Sequence, residues 1–173
     1  SAFYVLESAE RAARRGRRGY GRILGWGSSC DAHNVTAPHP DGLGAVIAMK
    51  NALIDAQLKS HDVDYINAHG TGTALNDVAE AMAIEKVFGS HSPLVSSSKS
   101  QFGHCIGAAG AIEFAVCLSA LNQKFIPPNI TLETPDPKVG IRLASRRSLP
   151  QHLKCVMSNS FGFGGQNASL IVG

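Results

Sequence analysis

The chain has 173 residues, 44% of them hydrophobic and 17% charged, with 18 glycines and a formal net charge of +3. That length and apolar content suit one globular domain, residues 1–173, with a well-buried core, and exclude a disordered tail. The 4 cysteines, Cys30, Cys105, Cys117 and Cys155, lack CxxC spacing, which argues against a zinc site and a disulfide framework and favours a cytoplasmic protein.

Along the chain, "AFYVLES" (residues 2–8) reads as a buried strand entering a short helix at residues 9–15 that Gly16 stops. "YGRILGWGSS" is a second strand. "DGLGAVIAMKNALIDAQL" carries apolar residues at helical spacing, with Asp41 placed as its N-cap. "VDYINAH" is a β-branched and aromatic strand ending at His69, "LNDVAEAMAIEKVFG" a helix with a glycine stop, and "LVSSS" a brief strand. A long apolar helix over about residues 107–122 leads into the proline-rich connection "FIPPNITLETPDP". Gly110, Glu113 and Ser119 interrupt that helix, so no uninterrupted membrane-length apolar run is expected. "KCVMSNSF" and "ASLIVG" close the chain as two strands around the turn "GFGGQN". Strands alternating with helices, then two strands in succession, predict an α/β domain: a mixed β-sheet flanked by α-helices, ending in an antiparallel hairpin. The first residues carry no signal-peptide pattern and no initiator Met, so the chain reads as a fragment or a processed product.

Arg11, Arg14, Arg15, Arg17, Arg18 and Arg22 crowd into one stretch, and Arg142, Arg146 and Arg147 into another. Each run suits a solvated helix end or turn, or a docking patch for an acidic partner. Without interleaved aromatics they do not point to nucleic acid.

Three segments hold the candidate chemistry. In "NAHGTGTALND", His69 leaves a strand and meets Gly70, Thr71, Gly72 and Thr73, small residues that let a ligand approach the backbone beside two hydroxyls. In "SSSKSQFGHCIGAAG", His104 stands just ahead of a helix start, where amides and the helix dipole favour a neutral imidazole that donates a hydrogen bond. Its neighbour Cys105 raises the question of a Cys–His dyad, but adjacent residues at a helix start point about 100° apart, so Cys105 is expected to be a small buried hydrophobe. Asp77 and Glu80 share one helix face, and with Lys99 and the histidines they suggest a carboxylate–lysine–histidine network. "NSFGFGGQN" is a glycine-rich turn that fits neither GxGxxG nor GxxxxGK[ST], so a nucleotide loop is not expected. Ser96 and Lys99 have SxxK spacing, but no KTG follows and the chain is short for a penicillin-binding acyltransferase.

Together, "NAHGTGTALND", "SSSKSQFGHCIGAAGA" and "NSFGFGGQNASL", in this order, closely resemble the C-terminal half of the β-ketoacyl-acyl-carrier-protein synthases of the thiolase superfamily. The resemblance implies a thiolase-like fold, half of an α-β-α-β-α layered sandwich, usually in a dimer. It implies a decarboxylative condensation of malonyl-carrier protein with an acyl group held on a cysteine, in fatty acid or polyketide synthesis. His69 and His104 match the family's paired histidines, Lys99 its lysine, and Asp77 and Glu80 its acidic partners. Thr71 and Thr73 match residues that bind the phosphopantetheine arm, with Thr36 a further candidate, and Phe163 matches a gating phenylalanine on a gating and oxyanion loop whose Gly162 and Gly164 would permit movement and backbone N–H donation. No cysteine here matches the nucleophile, which belongs to the absent first half. The implied partners are acyl carrier protein and that missing half, with no cofactor bound covalently, no metal, no nucleic acid and no membrane. Asn34 and Gln166 depart from the usual histidine and threonine. A non-catalytic subunit resembling a chain-length factor, or one half of a split enzyme, is the alternative, against which both histidines are retained.

Overall fold

A computed structural model describes all of residues 1–173. Its centre is a five-stranded mixed sheet formed by β1 (Ile23–Cys30), β2 (Tyr65–Asn67), β3 (Leu94–Ser96), β6 (Val156–Gly162) and β7 (Gln166–Val172), in the order β1-β7-β6-β2-β3. β2 runs parallel to β3 and β6, while β7 is antiparallel to both β6 and β1. The strands β1, β2, β3 and β6 therefore point the same way, and their carboxyl ends meet at one edge. β4 (Phe125–Ile126) and β5 (Leu149–Pro150) form a separate antiparallel pair.

Helices cover both faces. α2 (Leu43–Asp55) and α3 (Ala74–Phe88) pack Val46, Met49, Leu53, Ile84 and Phe88 against Ile66, Val95, Met157 and Ile171. On the other face α5 (Ala109–Gln123) sets Cys117 and Ala120 against Tyr65, Val156 and Val172. Tyr65 and Ile66, adjacent in β2, thus enter opposite cores, as the two-residue strand period requires. Covering on both sides explains why β2 shows no alternation of apolar and polar residues. α2 lies directly on β1 because Gly25 and Gly27 share the facing side: a Cβ on Gly27 would come within 2.2 Å of the Ala48 carbonyl oxygen. The stretch Ile106–Gln123 is long and apolar enough to cross a membrane by composition. Here Glu113, in its middle, is instead bonded to Lys99, and its Cys117 face is packed on the sheet.

Several local expectations change. Residues 2–8 form no strand, because no neighbouring strand offers its edge, and Phe3, Val5 and Leu6 are exposed. The helix α1 (Ala9–Arg14) follows, capped by the Ser8 side chain accepting from the Arg11 amide. Asp41 does not cap α2; Gly42 takes that place at φ 62°, where a Cβ would meet the Ala79 carbonyl at 2.4 Å. The short α4 (Lys99–Phe102) and the 3₁₀ turn Ile106–Ala108 ahead of α5 have no counterpart in the sequence pattern. In the second arginine group, Arg142 donates to the Ser92 carbonyl and Arg146 to that of Ile130, so both tie loops together.

Candidate active site

Several of the candidate residues gather at the carboxyl ends of the strands. His69 follows β2 and is 7% exposed; Lys99 follows β3; Phe161 and Phe163 lie on and beyond β6. The parallel register of β2 with β3 and β6 brings these segments side by side, which sequence separation could not show. The His69 and His104 rings stand edge to face, centroids 5.5 Å apart at 86°, and the Phe161 ring packs on His69 with centroids 5.7 Å apart.

Hydrogen bonds set both tautomers. Lys99 Nζ lies 3.3 Å from His69 Nδ1, and an ammonium can only donate, so the ring proton of His69 is on Nε2. The Ile106 amide donates to His104 Nδ1 at 3.1 Å, leaving its proton on Nε2 as well. Ile106 holds φ 49°, a left-handed conformation costly for a β-branched residue, and this turn aims its amide back at the imidazole. Two neutral imidazoles presenting N–H donors can stabilise negative charge developing on a shared oxygen.

Burial, then Lys99 and His104, lower the His69 pKa to about 3. Unfolded, the same ring titrates near 6.5. Between these values the unfolded chain binds one more proton than the folded one, so this group's contribution to stability is lost as pH falls, by up to about 1.4 kcal/mol per pH unit. The His69 ring resonances are expected to stay unchanged in NMR spectra from about pH 8 down to about pH 5; a titration midpoint near 6.5 would overturn the buried neutral assignment.

The expected acidic network is corrected in its members. Lys99 pairs with Glu113 of α5, not with Asp77 or Glu80. Glu80 accepts from the His69 and Gly70 amides, both at 2.9 Å, and from Asn159 Nδ2 at 3.2 Å. Asp77 accepts from the Gly72 amide at 3.2 Å and braces the threonine loop. The two buried carboxylates therefore reach the histidine from opposite faces of the sheet, Glu80 holding its backbone and Glu113 its lysine. Burial raises both carboxyl pKa values, opposed at Glu80 by the amides and at Glu113 by Lys99. Glu113 is the site residue that sequence reasoning missed. Its signal was a lone carboxylate inside an apolar helical run.

Cys105 is half-buried, not a core residue, and its thiol turns toward the Phe102 and Gly103 carbonyls at 3.7 and 3.8 Å. With His104 Nδ1 occupied by Ile106, the two do not form a dyad. Thr71 and Thr73 share a hydroxyl hydrogen bond of 3.0 Å, and Thr73 caps α3. Both border a cavity of about 570 Å³ that also touches Lys99, Ser97, Asn129 and Thr131 but neither histidine. Thr36 is exposed on a separate loop, shaped by Asn34 Oδ1 accepting from the Thr36 and Ala37 amides. That loop is bonded to the hairpin tip: the Gly164 amide donates to the Val35 carbonyl at 2.6 Å, and the Asp31 amide to that of Gly165 at 2.7 Å. Gly164 N–H is thus engaged, while Phe163 at the tip is 78% exposed. Gly162 is extended; Gly164 and Gly165, at φ 81° and 76°, make the left-handed turn that closes the three-residue loop.

The profile of the family described as "Beta-ketoacyl synthase, C-terminal domain" matches residues 20–133. The chain is 44% identical over 98% of its length to 3-oxoacyl-[acyl-carrier-protein] synthase 2 of Synechocystis, and 44% identical over 96% to nodulation protein E of Rhizobium leguminosarum bv. trifolii. It spans 41% of each of those proteins. Among solved structures it is similar to a chain of the ishigamide ketosynthase/chain length factor, with a TM-score of 0.93, 40% identity, and coverage of 96% of this chain and 41% of that one. The fold is the thiolase-like ketosynthase fold, and the chain belongs to the β-ketoacyl synthase family, matching its C-terminal domain.

Proposed function

We propose that this chain is the C-terminal half of a 3-oxoacyl-[acyl-carrier-protein] synthase, an acyltransferase that condenses malonyl units with an enzyme-held acyl group. The carrying observation is the pair of buried-to-exposed imidazoles, His69 and His104, each left with an Nε2 proton by its own Nδ1 partner. In the reaction the malonyl thioester oxygen accepts from both Nε2–H groups. The C–C bond to the carboxylate breaks, carbon dioxide leaves, and the electron pair is held as an enolate whose charge the two donors stabilise. The enolate carbon then attacks the acyl thioester of a cysteine in the segment outside this chain, and that thiolate departs. Lys99, bridging Glu113 and His69, keeps the His69 proton on Nε2.

The substrate is delivered on the phosphopantetheine of an acyl carrier protein, with Thr71 and Thr73 and the cavity beside them holding the arm. Phe163, on its hairpin tip, gates the approach, and Thr36 moves with it through the Gly164–Val35 bond. The working assembly is a dimer of complete synthases, identical or paired with a chain-length subunit, as in the ketosynthase/chain length factor pairs of the ishigamide and Xenorhabdus systems. Retention of both histidines favours the catalytic member over the chain-length member.

In the complete enzyme, His104→Ala should slow malonyl decarboxylation by about 10²–10³-fold while acyl transfer to the cysteine continues. Equal loss of both half-reactions would refute the oxyanion role.

A further inference from the structure

The first arginine cluster lies at the end of the sheet opposite the histidines. Arg22 immediately precedes β1, and its amide donates to the carbonyl of Gly173, the residue after β7. The site gathers at the other end of β1, where Asp31 bonds Gly165. Eight residues of β1 at about 3.3 Å each separate the two ends by roughly 25 Å.

Local structure turns the cluster outward. Past the end of α1, Gly16 stands at φ 62°, with the Arg17 amide donating to the Ala12 carbonyl and the Gly16 amide to that of Ala13, a left-handed cap that throws Arg17 and Arg18 clear of the helix. Asn122 at the end of α5 donates to the Tyr20 carbonyl and pins the following segment to the body. Glu7 is the one carboxylate paired with the cluster, through Arg11 and Arg15. Arg14, Arg17, Arg18 and Arg22 are exposed with no carboxylate in ion-pair range. Lys124 and Lys154 reach the same end, Lys124 just past α5 and Lys154 ahead of β6, its carbonyl beside Gly173.

We infer that this end is a second docking surface, for a carboxylate-rich protein, separate from the place where the carrier arm enters. Guanidinium forks match carboxylates in two hydrogen bonds, and the exposed Tyr20 among them adds a side chain favoured at protein interfaces. The surface is unsuited to a membrane. Of residues 3–6 only Tyr4 is anchored, stacking on Phe114 and bonding the Ala111 carbonyl in the first half of α5, while Phe3, Val5 and Leu6 stay exposed beside it and not among the arginines, so the arginine end itself offers no apolar group to a membrane except Tyr20. It is unsuited to nucleic acid because the charge is a compact end with one aromatic, not a stripe.

The separation of this surface from the carrier's entry rests on the proposed condensing function; its binding of polyglutamate does not. In the complete synthase, the triple variant R14E/R17E/R18E should bind poly-L-glutamate at least about tenfold more weakly than the parent, whose binding falls as sodium chloride rises. The KM for malonyl-carrier protein should stay within about twofold. Unchanged polyglutamate binding would overturn the docking surface, and so would tighter retention of the parent on phosphatidylglycerol vesicles or duplex DNA at equal charge. A raised KM for the carrier would overturn its separation from the condensing site.

Discussion

Glu113→Ala is expected to lower the stability of the complete protein by about 3–5 kcal/mol, because it leaves the Lys99 ammonium unpaired in a site where that side chain is 6% exposed. The loss should appear as a shift of the urea midpoint with little change in the slope. Activity should fall further than stability alone explains, since Lys99 also supplies the proton-rich neighbour that fixes the His69 tautomer. The double substitution Lys99→Met with Glu113→Leu separates the two roles. It should recover most of the stability, as buried ion pairs often exchange for apolar side chains at little cost, yet leave decarboxylation impaired. A Glu113→Ala shift below about 1 kcal/mol would show that the lysine finds another partner.

Gly27→Ala is expected to cost the fold about 3 kcal/mol or more and to give largely insoluble protein. The added Cβ would lie 2.2 Å from the Ala48 carbonyl and 2.5 Å from the Ala52 amide. Both obstacles are helix backbone, so no side chain can rotate away and α2 must lift from β1. Gly107→Ala is the control, because nothing lies within 4 Å of its position. Equal solubility of the two variants would show that α2 can shift without loss.

The α2 and α3 helices, the alternation of strands and helices and the closing β6–β7 hairpin were legible because each is a local pattern: apolar spacing, glycine stops, and a tight glycine turn between two apolar runs. The apolar run at residues 2–8 misled, since a strand needs an edge to pair with and periodicity cannot say whether one is near. The same limit explains the lysine's partner. Asp77 and Glu80 share the motif with His69, whereas Glu113 stands fourteen residues past Lys99 and meets it only because α5 folds back over the sheet.

The chain alone was enough to read the family, the layered α/β class and the residue types of the candidate site: two histidines, a lysine, a threonine loop and a glycine hairpin. Those are properties of short segments, where spacing and side-chain chemistry suffice. Only the tertiary structure decided which Nδ1 each donor occupies, that Glu113 and Glu80 approach from opposite faces, and that the arginines lie a full strand length from the histidines. Each of these depends on how distant segments are brought together, and that is settled by strand register and the packing of α5, not by local order along the chain.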